Sequence, residues 1–254
     1  MTGFCAARKP KSAIRGRGFS LIEMMVVLLV LGIVCGALYE QLASVQQRAR
    51  TEQVKLDYMQ EARDFSDQFF RDANQAGFPS ARLIDTASPL WVPPLQAPLK
   101  NDHRLAAGLV KADANEIWFE GDIAGTGNVQ TIVYKINGSG TCPQCLQRSQ
   151  VNKVDGDPIT AQTPVWGTEI NQIVNNAVFS YYQMDGTQIT ALPVDINSAP
   201  ATIASIKTIR ISIRLTNANV VDPKTRQPIE MIFEGEVSLN NCSLAANGQP
   251  MSCF

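Results

Sequence analysis

The sequence predicts an α+β chain in which one long N-terminal helix packs its later part on an antiparallel β-sheet. Three observations support this. No proline occurs from residue 19 to residue 78, and apolar side chains recur there at helical spacing. After residue 115 the period changes from helical to alternating. The helix comes first and the strands follow, which argues for segregated rather than alternating elements.

Residues 1–18 carry five bases (Arg8, Lys9, Lys11, Arg15, Arg17) and no acid. Residues 19–39 form an uninterrupted apolar run, close to the roughly 20 residues that span a bilayer. Its one acid is Glu23. An ionised carboxylate in a membrane segment costs about several kcal/mol unless it is paired. Cutting the Gly18–Phe19 bond would create a partner, the α-ammonium of Phe19. The basic leader predicts a cytoplasmic N-terminus. Within the run, Gly32 and Gly36 form a G-x-x-x-G, which lets helices approach closely.

Residues 40–78 turn polar without losing the period. Leu38, Leu42, Val45, Ala49, Leu56, Met59, Ala62, Phe65, Phe69 and Ala73 form one apolar stripe, with Glu52 interrupting it. The helix is expected to end near Gly77, with Phe78-Pro79 as a stop. Its last third is expected to bury Phe65 and Phe69. Residues 79–254 make the remaining globular domain. Residues 79–114 read as a Pro- and Asp-rich excursion. Strands are expected at Glu116–Glu120 and Gln130–Ile136. Ala177–Met184 and Thr187–Leu192 flank Asp185-Gly186, a hairpin signal. Ile209–Leu215 alternates with Arg210, Ser212 and Arg214, and Met231–Leu239 alternates with Glu234 and Glu236. Arg210 and Arg214 are expected to pair across strands with Glu234 and Glu236. In Tyr181-Tyr182 one ring is expected in the core and the other at the surface.

The formal net charge is −1, and without the leader it is −1 − 5 = −6. A mildly acidic chain offers no basic surface for nucleic acid. Of six cysteines, Cys5 lies in the leader and Cys35 in the apolar run. Cys142, Cys145, Cys242 and Cys253 suggest two disulfides in an oxidising compartment, with three pairings open. Proximity favours Cys142–Cys145 and Cys242–Cys253.

Little else points to chemistry. The single histidine, His103, has no triad partners in view and reads as a surface residue. Cys142-Pro143-Gln144-Cys145 is a C-x-x-C, but it follows a turn-like stretch and no amphipathic helix comes after it, so a structural disulfide is the better reading than redox or zinc chemistry. Asp155-Gly156-Asp157-Pro158 lacks the EF-hand pattern and reads as an acidic turn. No phosphate-binding loop is present. The expectation is a protein with no cofactor, no metal and no enzymatic activity.

Gly18, Phe19 and Glu23 ahead of an unbroken apolar helix resemble the prepilin signal of the type IV pilin superfamily. A secretory signal would place its small residue after the apolar run, and a plain anchor does not explain these three placements together. The resemblance implies a pilin-like fold, a prepilin peptidase that cuts after Gly18 and methylates Phe19, and a filament cored by such helices. Residues 1–18 would then be a cleaved leader, 19–39 the membrane and filament-core segment, and 40–78 its amphipathic continuation. The implied partners are other pilins or pseudopilins and an inner-membrane assembly platform. The subunit would wait in the inner membrane with its globular domain facing the periplasm, before reaching the pilus or cell surface. Glu40-Gln41 stand where major pilins often carry a kinking proline, which favours a minor pilin or pseudopilin. Phe70-Arg71-Asp72 with Gln75-Ala76-Gly77-Phe78 resembles the helix end of W-type minor pilins and J-type pseudopilins. Phe179-Ser180-Tyr181-Tyr182 with Asp185-Gly186 is similar to their hairpin. The reading is a minor type IV pilin that helps start or cap a pilus, with a type II secretion pseudopilin as the near alternative. A membrane-tethered thiol oxidoreductase using Cys142 and Cys145, and a tip adhesin using loops 79–114 or 137–170, are the further alternatives.

Overall fold

A single helix carries the apolar run and its amphipathic continuation: α1 spans Leu21–Gln75. The computed structural model describes residues 20–78, 103–138, 144–222 and 225–240. Two compact units emerge, one up to Ala49 and one from Arg50 onward. In the first unit α1 is bare. Leu21, Ile22 and Leu29 are exposed, as are the valines between them, and the segment is long and apolar enough to cross a membrane. Side chains so arranged in water would cost free energy, so this surface belongs in lipid or against other helices.

In the second unit the chain continues as β1 (Leu109–Ala112), β2 (Glu116–Gly121), β3 (Gln130–Asn137), β4 (Cys145–Asn152), β5 (Trp166–Ile170), β6 (Phe179–Gln183), β7 (Gln188–Ile189), β8 (Val194–Asp195), α2 (Pro200–Ser205), β9 (Ile206–Val221) and β10 (Pro228–Ser238). These strands build two antiparallel sheets rather than one. The larger has the order β5-β4-β3-β2-β1-β8, and the smaller has the order β10-β9-β6-β7. The α+β class holds, and a strand stands at each predicted place, though Thr187–Leu192 shortens to Gln188–Ile189 and Ile209–Leu215 lengthens to Ile206–Val221. Leu109–Ala112, placed by sequence in an irregular excursion, is a strand. So are Cys145–Asn152 and Trp166–Ile170, which fall within the loop 137–170 considered for adhesion.

The face of α1 that meets the sheets carries Thr51, Tyr58, Ala62, Phe65, Phe69 and Ala73. Leu56 and Met59, expected in that stripe, are exposed at 64% and 42%. The stripe is Tyr58-led: steps of four, three and four from Tyr58 reach Ala62, Phe65 and Phe69, and Leu56 lies off that face. Phe69 sits where the sheets converge, its ring 6.2 Å from Phe119 on β2, 5.2 Å from Tyr134 on β3 and 5.8 Å from Phe179 on β6. The larger sheet is covered on its other face as well, by Ala107, Val110, Trp118, Val133 and Ile196.

The end of α1 is fastened to β2 through backbone. Gly77, at φ 82°, donates its N–H to the Glu120 carbonyl at 2.8 Å, and Asp122 donates to the Phe78 carbonyl at 2.7 Å. A left-handed residue there is the usual glycine helix stop. The approach is so close that a Cβ on Gly121 would lie 2.3 Å from the Gln75 carbonyl oxygen. Gly121→Ala is therefore expected to destabilise the protein by about 1–3 kcal/mol through overpacking against backbone that cannot rotate away. Urea unfolding of the full chain in non-ionic detergent measures it, and an unchanged midpoint would refute the close-approach account.

The hairpin at Asp185-Gly186 forms, with Gly186 at φ 83°. Tyr181 is fully buried and Tyr182 partly exposed. Arg210 pairs with Glu236 at 3.0 Å, as expected, but Arg214 reaches Glu230 at 2.9 Å rather than Glu234. The register explains this. Arg214 lies opposite Ile232, so Glu230 and Glu234 are its two diagonal neighbours, and the side chain takes the former.

Candidate functional site

The first turn of α1 is built on Ser20. Its carbonyl accepts the N–H of Glu23 at 3.0 Å and of Met24 at 3.2 Å. Glu23 is thus in the first turn, where the free N–H groups and the helix dipole favour a negative side chain. Ser20-x-x-Glu23 is also the spacing of a capping box, a helix-start signal that the sequence reading passed over. Gly18 and Phe19 lie outside the described residues.

Gly32 and Gly36 are open: a Cβ on either would meet nothing within 4 Å. At 3.6 residues per turn, Gly32 is turned roughly 180° from Glu23 around the helix axis and Gly36 roughly 220°. The acid and the small-residue surface therefore address different neighbours, and one partner helix cannot engage both.

A second constellation fixes the end of α1 to the larger sheet. Asp72 is fully buried. One of its oxygens accepts from Arg148 on β4 at 2.7 and 2.8 Å and from the Tyr134 hydroxyl on β3 at 2.7 Å. The other accepts from Gln68 at 2.7 Å. Burial pushes the Tyr134 hydroxyl pKa up, and the Asp72 charge beside it adds to the shift. Burial alone would lower the Arg148 pKa, but Tyr134 and Asp72 outweigh it and hold the guanidinium charged. This gives the Phe70-Arg71-Asp72 motif a physical role: Asp72 is the buried anchor and Gly77 the stop. Sequence reasoning counted Asp72 only as part of a resemblance. Its place three residues after Phe69, within the buried face, was the available signal. A further ion pair, Lys153–Glu120 at 2.6 Å, is fully buried beneath Leu105 and Ala107.

Cys145 opens β4, is fully buried and is disulfide-bonded. Cys142, Cys242 and Cys253 lie outside the described residues. A strand, not a helix, follows the C-x-x-C, so no helix dipole is present to lower a thiol pKa as in thiol oxidoreductases. Cys35 is a free, exposed thiol on the bare part of α1. His103 Nδ1 lies 2.9 Å from Asp155, both largely exposed. Asp157 accepts from the N–H groups of Ile159 and Thr160 and from Asn197, and the Thr160 and Ile159 N–H groups help offset burial to leave its carboxyl pKa below the ordinary value. It serves as a turn cap. Among the described residues no group of three or more His, Cys, Asp or Glu is placed to hold a metal.

Residues 15–39 match the family described as the prokaryotic N-terminal methylation motif, the prepilin-type signal of the type IV pilin superfamily. No curated protein and no solved structure matches the chain.

Proposed function

We propose that this chain is a minor type IV pilin, a structural subunit that helps initiate or cap a pilus after cleavage between Gly18 and Phe19. The observation that carries the reading is one acid, Glu23, in the first turn of a bare apolar helix that begins within a prepilin-type signal. In the membrane that carboxylate pairs with the methylated amine of Phe19, its own or a neighbour's. The pairing sets axial register as the subunit leaves the inner membrane, because a charge pair in low dielectric separates matched from mismatched positions strongly. Gly32 and Gly36 admit a second neighbour on the opposite side of the helix. The globular unit faces the periplasm, where Cys142, Cys145, Cys242 and Cys253 form structural disulfides.

Glu40-Gln41 in place of a kinking proline supports a minor rather than a major subunit. The buried Asp72 anchor and the Gly77 stop support the W-type or J-type assignment. A type II secretion pseudopilin uses the same physics, and the J-type likeness of the helix end favours it as the second reading. Deletion of the gene distinguishes them: loss of pili with normal exoprotein release supports the first, and the reverse supports the second.

Mass spectrometry of the protein isolated from its own cells tests the core of the proposal. The expected mature N-terminus is N-methylated Phe19, and a chain that still begins upstream of residue 19 would overturn it.

A further inference from the structure

Among the described residues the sheets leave four edge strands, and they are not equivalent. β7 and β8 have two residues each, short enough to blunt an edge. On β10 the acids Glu230 and Glu236 are already paired with Arg214 and Arg210 of its neighbour. β5 differs. It has five residues, pairs with β4 alone among the described residues, and carries neither lysine nor proline. Trp166, Gly167 and Thr168 on it are exposed, as is Val165 just before it at 70%. A row of open N–H and C=O groups beside an exposed aromatic is the kind of edge that natural proteins protect unless it is used.

The two faces of this edge have different chemistry. Cross-strand partners share a face. Trp166 lies opposite Ser149 and Thr168 opposite Gln147, on the side away from α1. Gly167 lies opposite Arg148, on the side toward α1, and the register shift between Leu146 and Gln147 leaves Glu169 as an extra residue turned to that same side. There a groove of about 550 Å³ runs between α1 and the edge, lined by Glu61, Asp64, Asp67 and Glu169 with Arg71 and Arg148. Asp72 already claims Arg148, so the groove holds four carboxylates against one further guanidinium, Arg71, −4 + 1 = −3. Burial holds the Glu61 and Glu169 carboxyls above their ordinary pKa, the Asn171 N–H partly offsetting this at Glu61 and Arg148 at Glu169. Gly167, opposite Arg148 on that side, contributes no side chain to it.

We propose that the free edge of β5 receives an extended segment of a partner protein in which basic residues alternate with apolar ones. Strand addition satisfies the backbone row. Alternation then sends Lys or Arg side chains into the acidic groove and apolar side chains onto Trp166. The assignment does not depend on processing at Gly18–Phe19, so the two fail separately.

The test uses the full chain in non-ionic detergent and titrates it by calorimetry with a ten-residue peptide of alternating lysine and valine. The expected result is saturable binding at low salt that an alternating glutamate–valine peptide does not give. Asp64→Asn with Glu169→Gln weakens it by about tenfold or more, and so does N-methylation of alternate peptide amides. Gly167→Lys, whose added Cβ meets only the Arg148 carbonyl at 3.7 Å, fills the groove with its own cation and abolishes binding. Glu234→Gln, outside the groove, leaves affinity unchanged. Equal binding of both peptides, indifference to N-methylation, or equal weakening by Glu234→Gln would each overturn the proposal. So would peptide-free self-association that Gly167→Lys abolishes, since a second copy would then own the edge.

Discussion

Glu23→Ala is expected to leave cleavage after Gly18 within about twofold of normal while lowering the share of subunit in sheared filaments by more than about tenfold. The two readouts separate because they draw on different physics. Cleavage needs the peptide bond and its basic leader. On the proposed function, incorporation needs the carboxylate to find an ammonium in a medium where an unpaired charge costs about several kcal/mol. Each ~1.4 kcal/mol of lost discrimination is a factor of ten in an equilibrium. Alanine removes the acid, leaves helix propensity high and touches no packed neighbour, since Glu23 is exposed in the single chain. A folding defect is therefore not expected to confuse the result. Glu23→Gln is expected to fail similarly, since an amide keeps the shape but not the charge. Mass spectrometry gives processing, and immunoblots of sheared and membrane fractions give incorporation. Normal incorporation of Glu23→Ala would mean that register is set elsewhere, for example by the surface at Gly32 and Gly36 on the opposite side of the helix.

The helix was legible in the sequence because its signals are local. An apolar run, a period and a glycine stop need no knowledge of the rest of the chain, and α1 ends at Gln75 with Gly77 as its stop. β9 and β10 were legible for the same reason: Ile209, Ile211, Ile213 and Leu215 alternate with polar residues, and all four are buried. β4 was not legible. After Cys145 and Leu146 its residues are polar except Val151, yet the strand runs inside a six-stranded sheet. Its Arg148 is covered because Asp72 neutralises it and its Ser149 because the Val165 N–H bonds to it. Hydropathy cannot anticipate a buried polar residue whose partner is 76 positions away. β5 was missed because Val165-Trp166-Gly167-Thr168 is exposed and lacks a clean alternation. The candidate site divides the same way. The processing signal and Glu23 stand within one short stretch of sequence, whereas the acidic groove exists only once α1, β4 and β5 are folded together.

Asp72→Ala is expected to destabilise the protein by about 3–5 kcal/mol, the cost typical of stranding one member of a buried ion pair. The substitution leaves the Arg148 guanidinium and the Tyr134 hydroxyl without the oxygen that both contact. Alanine itself suits a helix, so the loss measures the stranded partners rather than the helix. Asp72→Asn retains one acceptor for Tyr134 or Arg148 and is expected to cost less. The decisive comparison is the double variant Asp72→Ala with Arg148→Leu. Removing the orphaned charge is expected to recover part of the loss, giving a coupling energy of order 1–3 kcal/mol between residues on different elements. Urea unfolding of the full chain in detergent provides all four corners of the cycle. Additive single losses would mean that Asp72 and Arg148 act independently. The fastening of the helix end would then rest on the backbone bonds of Gly77 and Asp122 and on the Phe69 ring cluster, with the ion pair contributing only polarity that the core tolerates.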